Sequence, residues 1–135
     1  MRSWHLDRGW RDIGYHFLVR TDGRIEAGRP LTEVGAHVKG MNRGSVGIAY
    51  AGGLDEDGTP RDTRTDAQRA SLVMLSMSLM ITVPEIESVH GHNEFSSKAC
   101  PCFDVAEEFW AINCEPWRDL GIHEALITAE KTLMF

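Results

Sequence analysis

Residues 13–27 decide how the chain begins to fold, and they read Ile-Gly-Tyr-His-Phe-Leu-Val-Arg-Thr-Asp-Gly-Arg-Ile-Glu-Ala. Residues 13–20 are rich in β-branched and aromatic side chains, which favour a strand. The Asp22-Gly23 pair is a turn signal, and residues 25–27 return as a second strand. This stretch therefore predicts a hairpin at the start of a sheet.

Downstream of the hairpin, loops alternate with regular segments. Residues 28–42 carry repeated glycines and a proline, which predict a long loop. Residues 45–50, Ser-Val-Gly-Ile-Ala-Tyr, are typical of a third strand. Thr65 and Gln68 have the spacing of a capping box, so a helix is expected to begin there and to end near Ile81.

The second half of the chain adds a short strand over residues 86–90 and a helix over residues 104–113, which opens with its own cap signature. The tail, residues 114–135, gives a weaker signal, and residues 121–128 fit either a short helix or a strand. The order of elements predicts one α/β domain over residues 1–135, with a mixed central sheet flanked by helices.

Composition narrows the class of protein. The chain has 135 residues, of which 42% are hydrophobic and 25% charged, as in ordinary globular domains. Lys and Arg number 14 and Asp and Glu number 20, so the net charge is −6, which argues against nucleic acid as the main partner. Apolar runs are too short to cross a membrane, and residues 1–8 lack the apolar core of a secretory signal. We therefore expect no membrane insertion.

Reactive side chains are most concentrated in residues 89–104. They are His90, His92, Lys98, Cys100 and Cys102. Imidazole and thiolate are ligands that zinc prefers. Alternation along a strand would place the two histidines on one face. The dipole of the following helix would favour the thiolate form of the cysteines. The segment predicts a metal or thiol site. Two alternatives stay open: a surface loop with inert thiols, and a structural four-ligand zinc site, although paired Cys-x₂-Cys knuckles are absent.

The cysteines number three, an odd count that makes a poor disulfide framework. A bridge between Cys100 and Cys102 would close too tight a loop for normal disulfide geometry. We therefore expect Cys100, Cys102 and Cys114 to be free thiols.

Several other residues have ordinary structural explanations when taken alone. Tyr15, on the first strand, fits a buried core tyrosine, and His37, in a glycine-rich loop, fits a surface histidine. Met74, Met77 and Met80 recur at helical spacing, which predicts that all three fill the core.

Seven motifs occur in a fixed order along the chain. They are Gly9-Trp10-Arg11-Asp12-Ile13-Gly14-Tyr15-His16-Phe17, Asp22-Gly23-Arg24-Ile25-Glu26-Ala27-Gly28-Arg29, Val34-Gly35-Ala36-His37-Val38-Lys39-Gly40-Met41-Asn42, Ser45-Val46-Gly47-Ile48, His92-Asn93-Glu94, Lys98-Ala99-Cys100-Pro101 and Phe103-Asp104. From residue 4 to about residue 112 the chain closely resembles the zinc-dependent N-acetylmuramoyl-L-alanine amidases of the short phage endolysin type, which share a fold with the peptidoglycan recognition proteins. Residues 113–135 form a divergent tail.

The resemblance implies a reaction and a set of roles. The reaction is hydrolysis of the amide between N-acetylmuramic acid and L-alanine in peptidoglycan. His92 and Cys100 match two of three Zn²⁺ ligands, and Tyr15 matches a tyrosine that assists at the metal-activated water. Lys98 matches a basic residue that stabilises the developing oxyanion, and His37 falls beside the substrate groove, where a contact with substrate is implied. Zinc with an open coordination position acidifies a bound water, which suits this reaction.

The chain also departs from the family pattern. In the family, the third ligand is a histidine on a first, core strand that lies well before the Gly9-Trp10 pair, and this sequence has no counterpart of it. Three explanations are open: an N-terminally shortened chain, a tail that fills the gap with His123, or loss of catalysis with retention of the binding groove. The functional alternative to a zinc amidase is therefore a catalytically inactive binding protein of phage origin, for a small ligand, a wall fragment or a protein partner.

Two further expectations follow from this comparison. A protein of this type is expected to stay in the host cytoplasm until it is released to the cell wall. Loss of a core strand would leave an open sheet edge, so we expect the apolar tail, residues 121–135, to be ordered and packed on its own sheet or on a second copy of the chain. A homo-oligomer is the favoured outcome, because a two-fold contact hides two such surfaces at once.

Overall fold

The structure is a computed structural model that describes residues 13–113 and 131–135. Its strands are β1 (Phe17–Val19), β2 (Ile25–Ala27), β3 (Ser45–Tyr50), β4 (Ile86–His90) and β5 (Lys131–Met134). Its helices are α1 (Asp66–Thr82), α2 (Val105–Glu108) and α3 (Trp110–Asn113), and residues His92–Glu94 form a 3₁₀ turn. Residues 1–12, together with Cys114, His123 and the segment 121–128, lie outside the described residues.

The five strands form one sheet in the order β2-β1-β3-β5-β4. β1 and β2 are antiparallel and form the predicted hairpin, whereas β3 runs parallel to β1 and β5 runs parallel to both β3 and β4. The expected mixed α/β architecture is confirmed.

The first strand is shorter than the sequence predicts. β1 begins at Phe17, so Tyr15 and His16 precede it, although their carbonyl oxygens still accept hydrogen bonds from the amides of Arg29 and Gly28. At Gly28 a Cβ would overlap Ile13, so the two chain segments approach more closely there than a regular ladder allows. The pairing continues beyond β1, but with irregular geometry.

Helix α1 begins with the predicted capping box. The Thr65 hydroxyl oxygen accepts a hydrogen bond from the Gln68 amide at 3.1 Å, and the Gln68 side-chain oxygen accepts one from the Thr65 amide at 3.0 Å. The Thr65 hydroxyl also donates to the Thr21 carbonyl at 2.7 Å, which ties the helix start to the turn of the hairpin. This N-cap therefore fixes both the first residue of the helix and its position over the sheet.

Removing this cap should have a measurable cost. We expect Thr65→Ala to lower the free energy of unfolding by about 1 kcal/mol, because the Gln68 amide and the Thr21 carbonyl both lose their partner. Urea denaturation of Thr65→Ala beside Thr65→Ser, which keeps the hydroxyl, measures the effect. Equal loss in both variants would show that the hydroxyl does not stabilise the helix.

The expectation that three methionines fill the core is wrong for two of them. Met80 is buried, but Met74 and Met77 are 59% and 50% exposed. The buried side of α1 is formed by Leu72, Leu75, Leu79 and Met80. Positions 74 and 77 lie on the opposite side of the helix, so their side chains are exposed. Spacing of one residue type alone did not identify the buried face.

The predicted helix over residues 104–113 is divided in two. α2 begins after the N-cap Asp104, whose carboxylate accepts from the Glu107 amide at 2.9 Å, and the division from α3 falls at Phe109. The Phe109 ring is 1% exposed and lies 4.9 Å from the Phe135 ring, centroid to centroid. Packing of this ring holds the chain at the point where the helix is interrupted.

One hydrophobic core joins the sheet to the helices. Its central members are Val19, Val46, Ile48, Leu72, Leu75, Ile86, Val89, Val105, Phe109 and Phe135. No helix in residues 13–113 or 131–135 is long and apolar enough to cross a membrane.

The end of the tail is packed on the chain's own sheet, as one of the two expected arrangements required. β5 lies in the interior of the sheet rather than at its edge, and Met134 and Phe135 are 0% and 3% exposed. For residues 131–135 the expectation of an ordered tail is confirmed.

Candidate functional site

Tyr15 and His37 form one side of the candidate site. Their rings stack with centroids 5.7 Å apart and planes inclined by 28°. Tyr15 is held at the end of the hairpin by the backbone bond from Arg29. Burial, followed by the nearby Cys100, raises the pKa of Tyr15 to about 12, so its hydroxyl stays protonated and can donate a hydrogen bond.

His37 is buried, which corrects the expectation of a surface histidine. Its ring packs against the backbone of Gly35 and Gly47, where a Cβ would overlap it. Its backbone amide donates to the Asn42 side chain at 2.8 Å, yet neither ring nitrogen has a hydrogen-bond partner. Burial, followed by the neighbouring His16 and His92, lowers the pKa of His37 to about 4, so the ring is neutral near pH 7. A buried neutral imidazole with unused polar atoms is suited to bind a ligand.

His16 supports this side without entering it. Its Nδ1 accepts from the Gly47 amide at 2.9 Å, and its Nε2 lies 2.9 Å from the Glu33 carbonyl, so the proton must be on Nε2. The His16 ring meets the His37 ring edge-on, with centroids 5.8 Å apart. Sequence reasoning gave His16 no role; its place next to Tyr15 was the available signal.

His92 and Cys100 form the other side of the site. β4 ends at His90 and His92 begins the 3₁₀ turn, so the expectation that both histidines share one strand face does not hold. The His90 ring is engaged by Ser88 and Glu94, at 3.0 and 2.9 Å. His92 is 6% exposed, and burial, followed by Lys98, lowers its pKa. The His92 ring is therefore neutral near pH 7, which is the form of imidazole that binds a metal ion.

The Cys100 loop is tied to the end of β3. The Tyr50 hydroxyl donates to the Pro101 carbonyl at 2.6 Å, and the Cys102 thiol lies 3.2 Å from the Gly53 carbonyl. Cys100 and Cys102 are both free, as expected, and Cys114 lies outside the described residues. Burial, followed by Cys102, raises the pKa of Cys100. The following helix, α2, whose dipole was expected to favour the thiolate, is only four residues long.

A cavity of about 320 Å³ brings the two sides together. Tyr15, Tyr50, Cys100 and Phe135 are among its lining residues. Lys98 is exposed and directly precedes the lining residues Ala99 and Cys100, and its ammonium lies near enough to lower the pKa values of both His92 and Cys100. The five residues that the sequence predicted for the site are therefore neighbours in the fold.

Residues 13–113 and 131–135 bring together fewer metal donors than a closed zinc site needs. Within residues 13–113 and 131–135, the structure contains no group of three or more His, Cys, Asp or Glu side chains placed to hold a metal ion. His92 and Cys100 are of the types that zinc prefers. His123, which would supply the third ligand under one of the three explanations left open by the sequence, falls outside the described part of the chain.

Tyr50 and Phe135 are among the lining residues that sequence reasoning missed. Tyr50 ends β3, where residues of parallel strands commonly reach a site, and this position was a usable signal. Phe135 enters the cavity wall through the pairing of β5 between β3 and β4. Local sequence around Phe135 carries no signal for that pairing.

Comparisons with known proteins match this sequence and fold. A sequence profile of the family described as N-acetylmuramoyl-L-alanine amidase matches residues 2–103. The endolysin of Klebsiella phage KP32 is 42% identical over 113 residues, covering 84% of this chain and 74% of that protein.

Solved structures of two kinds of protein are similar to this chain. The N-acetylmuramoyl-L-alanine amidase LysC from Clostridium intestinale is 35% identical with a TM-score of 0.71, covering 84% of this chain and 74% of that one. Human PGRP-IBETAC, solved in complex with glycosamyl muramyl pentapeptide, is 26% identical with a TM-score of 0.63, covering 80% and 65%. The similarity therefore extends both to an amidase and to a PGRP solved with a muramyl peptide.

Proposed function

The chain belongs to the N-acetylmuramoyl-L-alanine amidase family, with phage endolysins among its relatives, and from this premise we propose that it cuts peptidoglycan as a zinc-dependent amidase. The bond hydrolysed is the amide between N-acetylmuramic acid and L-alanine. The observation that carries the proposal is a cavity lined by both Tyr15 and Cys100. His37 stacks on Tyr15, and Lys98 is close enough to lower the pKa values of His92 and Cys100. Peptidoglycan is the polymer that this family acts on.

His92 and Cys100 are the residues that would hold the zinc ion. A neutral imidazole and a thiol that deprotonates on coordination fit a zinc site, and burial keeps His92 neutral. When bound, zinc would supply a Lewis acid for the scissile carbonyl and an acidified water. A third protein donor is not among the described residues, and His123 remains the sequence-based candidate.

Tyr15 and Lys98 would act on the reacting amide. Because the pKa of Tyr15 is about 12, its hydroxyl is a hydrogen-bond donor rather than a base at neutral pH. As a donor it would act on the amide rather than on the water where the family resemblance puts it: it would orient the amide and hold a proton close to the leaving nitrogen. The exposed Lys98 ammonium would approach the carbonyl oxygen as negative charge develops there. The bond from carbonyl carbon to nitrogen breaks, the water oxygen joins that carbon, and the L-alanine amine leaves protonated.

His37 would contact the substrate rather than the reacting atoms. Its two unpartnered ring nitrogens can accept from and donate to polar groups of a peptide stem or sugar. The ring is fixed by Gly35 and Gly47 on one side and by Tyr15 on the other, so little ordering is needed when substrate binds.

Substitution of the two transition-state residues should separate turnover from metal binding. We expect Tyr15→Phe and Lys98→Ala each to lower kcat by about 10²-fold or more while zinc content stays unchanged, because each acts on the reacting amide and not on the metal. Release of soluble fragments from purified wall measures turnover, and plasma emission spectroscopy measures zinc. The nearby surface variant Lys39→Ala is the control. Full wall cutting by Lys98→Ala would contradict the oxyanion role.

The proposal as a whole is tested by zinc content and wall cutting measured on the same preparation. A zinc amidase should hold about one zinc per chain, release free L-alanine amino termini from purified peptidoglycan, and lose both activity and metal with a strong chelator. Protein that binds zinc stoichiometrically but releases no such termini would contradict the assigned reaction.

A second candidate function is favoured by the donors that residues 13–113 and 131–135 supply, since these include no group of three metal-binding side chains. A site with His92 and Cys100 as its two donors would bind a wall fragment without cutting it. Human PGRP-IBETAC, which is similar to this chain, was solved with glycosamyl muramyl pentapeptide bound, and this supports a binding function. Saturable binding of a muramyl peptide by zinc-free protein, with no release of amino termini, would support binding over catalysis.

A further inference from the structure

β5 joins β3 to β4 within the sheet. It lies between β3 and β4, which do not pair with each other in the described part of the sheet. Its register places Met134 opposite both Gly47 of β3 and His90 of β4. Because neighbouring strands lie about 4.8 Å apart, removal of β5 would leave β3 and β4 about 10 Å apart with two unpaired inner edges.

The two sides of the candidate site attach to opposite neighbours of β5. His37 packs against Gly47, which is on β3, and the Gly47 amide also fixes His16. His92 follows directly after β4. In the described residues, β5 therefore connects the two sides of the site: its backbone pairs with β3, which carries the His37 side, and with β4, which leads to His92.

Phe135 extends this pairing to His92 itself. The Phe135 amide donates to the His90 carbonyl at 3.1 Å, and the Phe135 carbonyl accepts from the His92 amide at 3.1 Å. The Phe135 ring is anchored by Phe109 and Phe103, with centroids 4.9 and 6.3 Å away. The last described residue therefore holds the backbone on both sides of Gly91.

We propose that residues 131–135, which we term the closing strand, are a positioning element of the site. The closing strand sets the place of His92 relative to Tyr15 and His37, so the site is complete only while this segment is docked between β3 and β4. The positioning of His92 stands on the backbone contacts alone, and only its consequence for zinc rests on the proposed function.

The wild-type protein gives the first test. Amide hydrogen exchange followed by NMR should show the His92 amide protected as strongly as the amides of Leu133 and Met134, because all three depend on the same docked strand. Exchange of His92 at the rate of an unstructured peptide, with Leu133 still protected, would overturn the proposal. This measurement needs no variant and no metal.

A matched pair of full-length variants gives the second test. Phe135→Pro removes the ring and the amide donor to His90, whereas Phe135→Ala removes the ring and keeps the donor. We expect the His92 amide to exchange about tenfold faster in the proline variant than in the alanine variant. Equal exchange of the His92 amide in the two variants would overturn the proposal. Zinc affinity is measured by chelator competition, and an affinity that is the same in both variants and in wild type would also overturn it. If wild type binds no zinc while the exchange difference is present, the proposed metal site fails and the positioning role stands.

Discussion

Cys100→Ser is expected to abolish zinc retention and to lower wall cutting by at least about 10³-fold. A serine hydroxyl does not deprotonate as a thiol does, so the site would lose one of the two donors that the described residues supply. The cavity should persist, because the Cys100 loop is held by the bond between Tyr50 and the Pro101 carbonyl and not by the thiol. Zinc content after dialysis, beside release of amino termini from purified wall, measures both effects.

Cys102→Ser is the matched control for this experiment. Cys102 lies two residues away on the same loop, but its thiol is directed at the Gly53 carbonyl, 3.2 Å distant, and a serine hydroxyl can donate there as well. We expect this variant to keep its zinc and most of its activity. If both variants lose zinc equally, the loop as a whole and not Cys100 would be responsible, and the ligand assignment would be wrong.

The elements that could be predicted from sequence are those with a local cause. The capping box at Thr65 and the turn at Asp22-Gly23 each involve contacts within a few residues, and both were predicted at the right places. The site residues His92 and Cys100 were found because the motifs that carry them lie in a characteristic order along the chain. Whether these two bind metal stays a prediction.

The features that sequence could not predict arise from contacts between distant segments. The burial of His37 depends on packing of its ring against both Gly35 and Gly47. Gly47 lies in a different element, so the sequence around His37 alone does not predict this packing. The interior place of β5 depends on pairing with strands that precede it by more than forty positions in the chain. Met74 and Met77 show the opposite kind of error: their regular spacing predicted burial, but they lie on the exposed side of α1.

Arg64→Ala is expected to lower the free energy of unfolding by about 3 kcal/mol. The Arg64 side chain is 0% exposed and binds two carboxylates: it donates to Asp62 at 2.9 Å and to Glu108 at 2.6 and 2.8 Å. Its guanidinium also lies 3.3 Å from the centroid of the Phe103 ring. Loss of one partner from a buried ion pair typically costs about 3–5 kcal/mol, and the partial exposure of both carboxylates places this case at the lower end.

Arg69→Ala separates the effect of burial from that of charge. Arg69 contacts the same Asp62 carboxylate at 2.6 Å, but its side chain is 42% exposed. An exposed pair contributes about 1 kcal/mol or less, so this variant should be nearly as stable as wild type. Denaturant titration of both variants measures the difference, and a loss from Arg69→Ala as large as that from Arg64→Ala would show that net charge, not the buried contact, stabilises this region.

The stability lost in Arg64→Ala should also depend on pH. Hydrogen bonds from Arg64, against the opposing effect of burial, hold the pKa of Asp62 well below its usual range, and Arg69 adds to this. A carboxyl whose pKa is depressed by folding stabilises the folded state above its unfolded pKa of about 3.9, and that contribution is lost as the pH falls toward the folded pKa. The gap between wild type and Arg64→Ala should therefore be full at pH 7 and shrink below about pH 4. A gap that stays constant from pH 7 to pH 3 would assign the loss to the contact with Phe103 rather than to the carboxylates.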